Sequence, residues 1–246
     1  MVNNMIYRMK RKQKLKSVKT FSTAAREKNT YESAKRTVKE KTESDDIKQH
    51  WEIRAERPGV QAVMSARHSL DDNEQATNLL QQEIFEFLGE IINDATIFEL
   101  GVGIGRMTLE LAKRARRVIG CELSETMLAR AREKLANTAN VELYLGKIFE
   151  LTRFDAKTFD LVFESIVLLH ILNPNELIKT AREMQRLSRR IFITEHTYEG
   201  SDFPISRYTI LRTPEEYVEL FEPYHLTKQK THFCAGDRFT MMLFEE

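Results

Sequence analysis

Two carboxylates and a run of glycines are the residues from which this sequence could do chemistry. In "TIFELGVGIGR", Gly101, Gly103 and Gly105 follow a short apolar run that contains Glu99 and precede a segment that reads as a helix. A strand that enters a helix through such a turn presents free backbone N–H groups and the positive end of the helix dipole at the carboxyl edge of a sheet, where ligands bind. Glycines of this kind can also serve only to allow a tight turn and close packing of the helix. The G-x-G-x-G spacing puts Arg106 where a dinucleotide fingerprint needs its last glycine, which disfavours a pyrophosphate. Glu99, two residues before the first glycine, would repel a phosphate but attract an ammonium. Glu122 ends the next apolar run, 21 residues after Gly101, where a carboxylate can accept from both hydroxyls of a ribose. Together these groups describe a nucleoside that carries a cation.

Later residues fall at corresponding places. In "GKIFEL", Ile148 and Phe149 stand where they can flank an adenine ring. In "FESIVLLHI", Glu164 to His170 would line the reacting side of the same crevice. A general base is needed only if the acceptor must first lose a proton. His170, Glu195 and His196 are the catalytic candidates for that role, and the plainer role for His170 is a bond to loop backbone. The only cysteines, Cys121 and Cys234, have no second ligand pair nearby, so neither a disulfide framework nor a metal site is expected.

The elements that must position these residues alternate. After a helical period at Leu79, Leu80, Ile84, Phe85, Phe87 and Leu88 come "TIFEL", "RVIGCEL", "VELYLG", "FDLVFESIVLL" and "RIFITEH" as strands. Helices over Ile104 to Arg114, Glu125 to Ala136 and "PNELIKTAREMQRLS" lie between three of the four successive strand pairs. Such alternation implies an α/β fold with a parallel sheet covered on both faces. A helix "RTPEEYVELFEPY", with Thr213 as N-cap and Pro214 in its first turn, precedes two strands around "AGD", an antiparallel hairpin at the sheet edge. Residues 1–49 differ in kind. The first fifty residues carry a net charge of +8 and no glycine or proline, against −7 for the remainder, which reads as a basic, flexible extension. A surface for RNA or an anionic membrane, or an organelle transit segment, is the sharper reading of the same residues. The domain proper is expected over 50–246, with 50–94 as a lid and first helices and 95–246 as the core sheet. No apolar run is long enough for a membrane span, so a cytoplasmic protein is expected.

A ribose, an adenine, a cationic amino acid and no phosphate describe S-adenosylmethionine. "FELGVGIGR", "VIGCELSETMLARAREK" and "FDLVFESIVLLHI", in this order, resemble the motifs of the class I S-adenosylmethionine-dependent methyltransferases, specifically their small-molecule methyltransferase domain. The resemblance implies a Rossmann-like, doubly wound, seven-stranded sheet, mostly parallel with an antiparallel C-terminal strand. It also implies roles in cofactor binding: Glu99 at the methionine end, the Gly101, Gly103 and Gly105 backbone close to the cofactor, Glu122 on the ribose, Leu123, Lys147 and Ile148 around the adenine, and Glu164 near the reacting end. In similar enzymes the segment holding Trp51, Arg54 and Arg67 folds over the cofactor, so these are the lid candidates, an arginine pairing with the carboxylate. One position departs from the family's pattern. Where an aspartate commonly accepts from the adenine amino group, this chain has Lys147, which has no acceptor when charged. "ESIV" lacks the Asn/Asp-Pro-Pro-Tyr-like run and the cysteine of base-modifying enzymes, so a small-molecule acceptor is expected, with RNA, a protein, or a non-catalytic adaptor role as the alternatives.

Overall fold

A computed structural model describes residues 44–64, 68–150, 153–198, 207–234 and 237–246. The basic extension through residue 43, and Arg67, lie outside the described residues. Seven strands form one sheet: β1 Thr96–Leu100, β2 Arg117–Glu122, β3 Val141–Leu145, β4 Leu161–Ser165, β5 Arg190–His196, β6 His225–Cys234 and β7 Asp237–Glu245. Their order is β3-β2-β1-β4-β5-β7-β6. Only β7 runs against its neighbours, so the sheet is the mixed, Rossmann-like one the sequence implies. The strand order reverses at β1, between β2 and β4, and that reversal opens a crevice at the carboxyl ends.

Helices cover both faces because the strands are apolar on both. On one face Leu80 and Ile84 of α2 (Leu70–Leu88) and Met107 and Leu111 of α3 (Arg106–Ala112) pack on Ile97, Leu161, Phe163 and Phe192. On the other, Met184 of α5 (Pro174–Leu187) and Tyr217 of α6 (Pro214–Leu220) pack on Phe98, Val162 and Ile193. Both helices start at Pro. Asn173 caps α5, and Thr213 with Glu216 forms a reciprocal capping box on α6.

Two boundaries differ from the sequence reading. Helix α2 begins nine residues before the apolar period at Leu79, because Ser69 caps it and Asp71 and Asp72 complement its dipole. Helix α1, Ser44–Ala55, crosses the expected boundary at residue 49. Composition does not reveal α1, because its anchorage is remote in sequence. Glu52 accepts from the backbone N–H of Glu125 (2.7 Å) and Thr126 (3.1 Å), which open α4 (Glu125–Lys134). In return Arg130 of α4 donates to the carbonyls of Ala55, Arg57 and Gly59 at 2.5, 2.9 and 3.2 Å. Each helix thus satisfies orphan backbone groups at one end of the other.

Arg130→Ala removes half of this exchange. Hydrogen bonds to a charged group contribute about 1.5–3 kcal/mol each, so amide exchange across α1 is expected to accelerate at least about tenfold while that of β1 stays unchanged. Equal protection of α1 in the variant would show that Arg130 does not hold the helix.

Candidate active site

The crevice is a cavity, open to solvent, above the carboxyl ends of β1 to β4. Its floor is the turn after β1. Gly101, Gly103 and Gly105 have φ of +73°, +56° and +76°, a region that L side chains rarely adopt. A Cβ on Gly101 would lie 2.3 Å from Val167 Cγ2, so this glycine is required by space as well as by conformation. The turn is tied to β2: Gly101 and Val102 donate to the Cys121 carbonyl at 2.9 and 3.1 Å, and Gly103 donates to Glu122 Oε2 at 2.8 Å.

Both acids predicted to hold the ligand line this cavity. Glu122 is 8% exposed; its Oε1 accepts from Leu123 (2.8 Å) and Ser124 (2.9 Å), and burial raises its pKa although three backbone donors oppose the shift. Glu99 is 2% exposed, and its Oε2 is buried with no hydrogen-bond partner. Burial pushes the Glu99 carboxyl up to about 8, with Thr108 and Arg106 pulling the other way and Glu122 adding to the rise. A buried acceptor without a donor costs about 1–3 kcal/mol, and a ligand ammonium would relieve it. The residues present therefore fit a cationic nucleoside: an open cradle of backbone, an acid with three fixed donors for hydroxyls, and an orphaned acid for a cation.

The adenine candidates Leu123, Lys147, Ile148 and Phe149 also line the cavity. Lys147 Nζ bonds Glu176 Oε1 at 2.6 Å and stands 5.7 Å from the Phe149 ring centre. At the other end lie Trp51 and His170, their rings edge to face at 4.8 Å. The His170 Nδ1 is 2.7 Å from the Tyr208 carbonyl, so Nδ1 carries the proton and donates. Burial pushes His170 down to about 3, with Arg54 and His50 adding to the fall. The ring is neutral at physiological pH, and Nε2 offers a lone pair.

Four of the predicted site residues are placed elsewhere. Arg54 does not line the cavity; its guanidinium donates to the carbonyls of Ala62 (3.0 Å), Gln61 (3.2 Å) and Met64, holding the chain that follows α1. It shapes the lid from behind, stacked 5.3 Å from Trp51. Glu164 and Glu195 lie beneath the cavity, not in it. Glu164 Oε1 accepts from Val167 and from Leu168 (3.3 Å), and Glu195 Oε1 accepts from Leu169 (3.1 Å). The opposite edge of that turn is held by Arg212, which donates to Leu168 (2.8 Å) and Ile171 (2.9 Å). Burial and the facing carboxylate hold Glu164 well above the usual range, and burial raises Glu195, so the pair keeps a proton between them. His196, one residue on from Glu195, points to the other face of β5 and packs 4.0 Å from the Phe239 ring. Strand alternation separates these two neighbours, and neither lines the cavity. Sequence reasoning missed Ile47, Val63, Glu176 and Thr180, all in the cavity wall. They come from helices, and for Val63 the turn after α1, docked over long sequence distances, and no local motif marks them.

Comparison with known proteins bears on this geometry directly. A family model described as "Methyltransferase domain" matches residues 97–190, which hold the glycine turn, both acids and the turn at His170. Residues 97–190 are thus similar to a methyltransferase domain. The chain is 26% identical over 189 residues to phosphoethanolamine N-methyltransferase 3 of Arabidopsis thaliana, covering 74% of this chain and 37% of that protein. Among solved structures, the fold is similar to Haemonchus contortus phosphoethanolamine N-methyltransferase 1 in complex with phosphoethanolamine and S-adenosylhomocysteine (TM-score 0.65, 21% identity, 82% of this chain and 48% of that one). It is also similar to the N-methyltransferase NodS of Bradyrhizobium japonicum with S-adenosylhomocysteine (TM-score 0.64, 14% identity, 81% and 98% covered). The chain thus spans little more than a third of the plant relative and about half of the nematode one. No described helix is long and apolar enough to cross a membrane.

Two outcomes follow for the methyltransferase domain. Gly101→Ala is expected to weaken S-adenosylhomocysteine binding at least about tenfold by calorimetry, because Val167 must move. Gly89→Ala, at φ +54° but with nothing within 4 Å of the new Cβ, is the control that keeps wild-type affinity. Placing an ammonium beside Glu99 must draw off its proton. Binding is therefore expected to release close to one proton at pH 7 and to strengthen as pH rises from 4.5 toward about 8, with a slope of up to about tenfold per unit. Glu99→Gln is expected to abolish both effects, and proton release that survives the substitution would place the ammonium elsewhere.

Proposed function

We propose that the chain transfers the methyl group of S-adenosylmethionine to a small-molecule acceptor carrying an amine. The observation that carries this reading is one cavity that joins the Glu99–glycine–Glu122 cradle to a neutral histidine under Trp51. When bound, the cofactor supplies an electrophilic methyl group on a sulfonium with a good leaving group.

The chain's own residues then have three tasks. Glu99 and Glu122 fix the two ends of the cofactor in orientation, and the glycine turn lets it lie close to the backbone. Trp51 closes the far end and keeps water from the reacting atoms. His170 receives the acceptor. With its pKa near 3 it takes no proton from an amine at neutral pH. Its Nε2 accepts one N–H and turns the nitrogen lone pair along the line of attack, a gain in orientation rather than in basicity. Glu195 and His196 lie outside the cavity lining and His170 is a weak base, which supports an amine that reacts as its neutral form. The small-amine reading also draws support from the N-methyltransferases similar to this chain, among which the nematode protein was solved with phosphoethanolamine.

With methyl-labelled cofactor, label is expected in a small product when phosphoethanolamine and related short amines are offered. His170→Ala is expected to lower kcat about a hundredfold with the affinity for S-adenosylhomocysteine unchanged. Label recovered in RNA or protein instead, or a His170 variant with full turnover, would overturn this assignment.

A further inference from the structure

Lys147 stands at the tip of β3 where an acceptor for the adenine amino group is expected, and an ammonium has only donors. Left to itself it would oppose a 6-amino group. The structure does not leave it so. Its Nζ is 2.6 Å from Glu176 Oε1, 29 residues further on, and both side chains line the cavity beside Ile148 and Phe149. They are 22% and 28% exposed, reachable from the cavity yet largely withdrawn from water.

Glu176 is rigidly presented. It lies in the first turn of α5, where Pro174 opens the helix and Asn173 Oδ1 accepts from the Glu176 backbone N–H at 3.3 Å. A carboxylate has about four lone-pair sites, so acceptance from Lys147 does not exhaust it. Lys147 in turn offsets the cost of holding an anion in a half-buried position and fixes its orientation.

We infer that Glu176, held by Lys147, is the acceptor that reads the adenine 6-amino group, taking over from α5 a role that the β3 tip cannot perform. This rests on the cofactor reading above. It assigns cofactor specificity to an ion pair between two elements, with Lys147 as a positioning residue. A site with a buried acceptor discriminates against a ligand that cannot donate to it. A 6-oxo purine, which has an acceptor oxygen in place of the 6-amino donor, is such a ligand at that position.

Calorimetry on the full chain with S-adenosylhomocysteine and its 6-oxo counterpart, in which inosine replaces adenosine, tests this. The wild type is expected to prefer the 6-amino ligand by at least about tenfold. Glu176→Ala is expected to bring the preference to one or reverse it, because the freed Lys147 can donate to a 6-oxo group, and retained affinity for the 6-oxo ligand certifies that the variant is folded. The exchange Lys147→Glu with Glu176→Lys is expected to restore the preference, since an acceptor then stands at the β3 tip itself. A preference unchanged in Glu176→Ala would overturn the inference and leave the cofactor reading intact. A wild type that binds neither ligand would overturn both.

Discussion

Two carboxyl groups buried in one cavity constrain everything around them. Each ends or nearly ends a strand beside the reversal of strand order, and Glu122 adds to the cost of a charge on Glu99. Glu122 is offset by three backbone donors, one of them from the glycine turn, so the acid that would bind a ribose also fixes the loop that a ligand must approach. Glu99 is offset less, by Thr108 and Arg106, and one oxygen remains without a donor. A fold retains such a group only when packing elsewhere exceeds its cost, and here apolar clusters on both faces of the sheet lie directly beneath it. The missing donor is the clearest mark that the site expects a cation.

Around that pair the chain builds two polar frameworks. Outside the sheet, Glu52 and Arg130 join α1 to α4 and so bring Trp51 over the crevice. Under the crevice, Glu164, Glu195 and Arg212 hold the backbone of the turn from Val167 to Ile171 by both edges. Rigid support of this sort matches a reaction in which the protein contributes orientation more than proton transfer.

Much of the fold was legible because it depends on local pattern. The strands are short apolar runs, α6 begins at a Thr-Pro signal, and the hairpin that carries β7 follows from alternation on either side of a turn. The cradle was legible for a related reason: Glu99, the glycines and Glu122 lie within two consecutive strands, so their spacing is their geometry. Legibility ended where contacts became remote. Glu195 and His196 are adjacent in sequence and opposite in space, and only the register of β5 decides which faces what. Arg54 looked like a ligand for a carboxylate, but the carbonyls of Gln61, Ala62 and Met64 occupy it. Lys147 looked misplaced until its partner on α5 was visible.

The most direct measurement is the structure of the full chain with S-adenosylhomocysteine bound. The expected result is a ligand lying along the glycine turn, its ribose hydroxyls on Glu122 and its ammonium on the free oxygen of Glu99. A ligand bound with its ammonium away from Glu99, or its ribose away from Glu122, would contradict the reading of the two buried acids on which the rest depends.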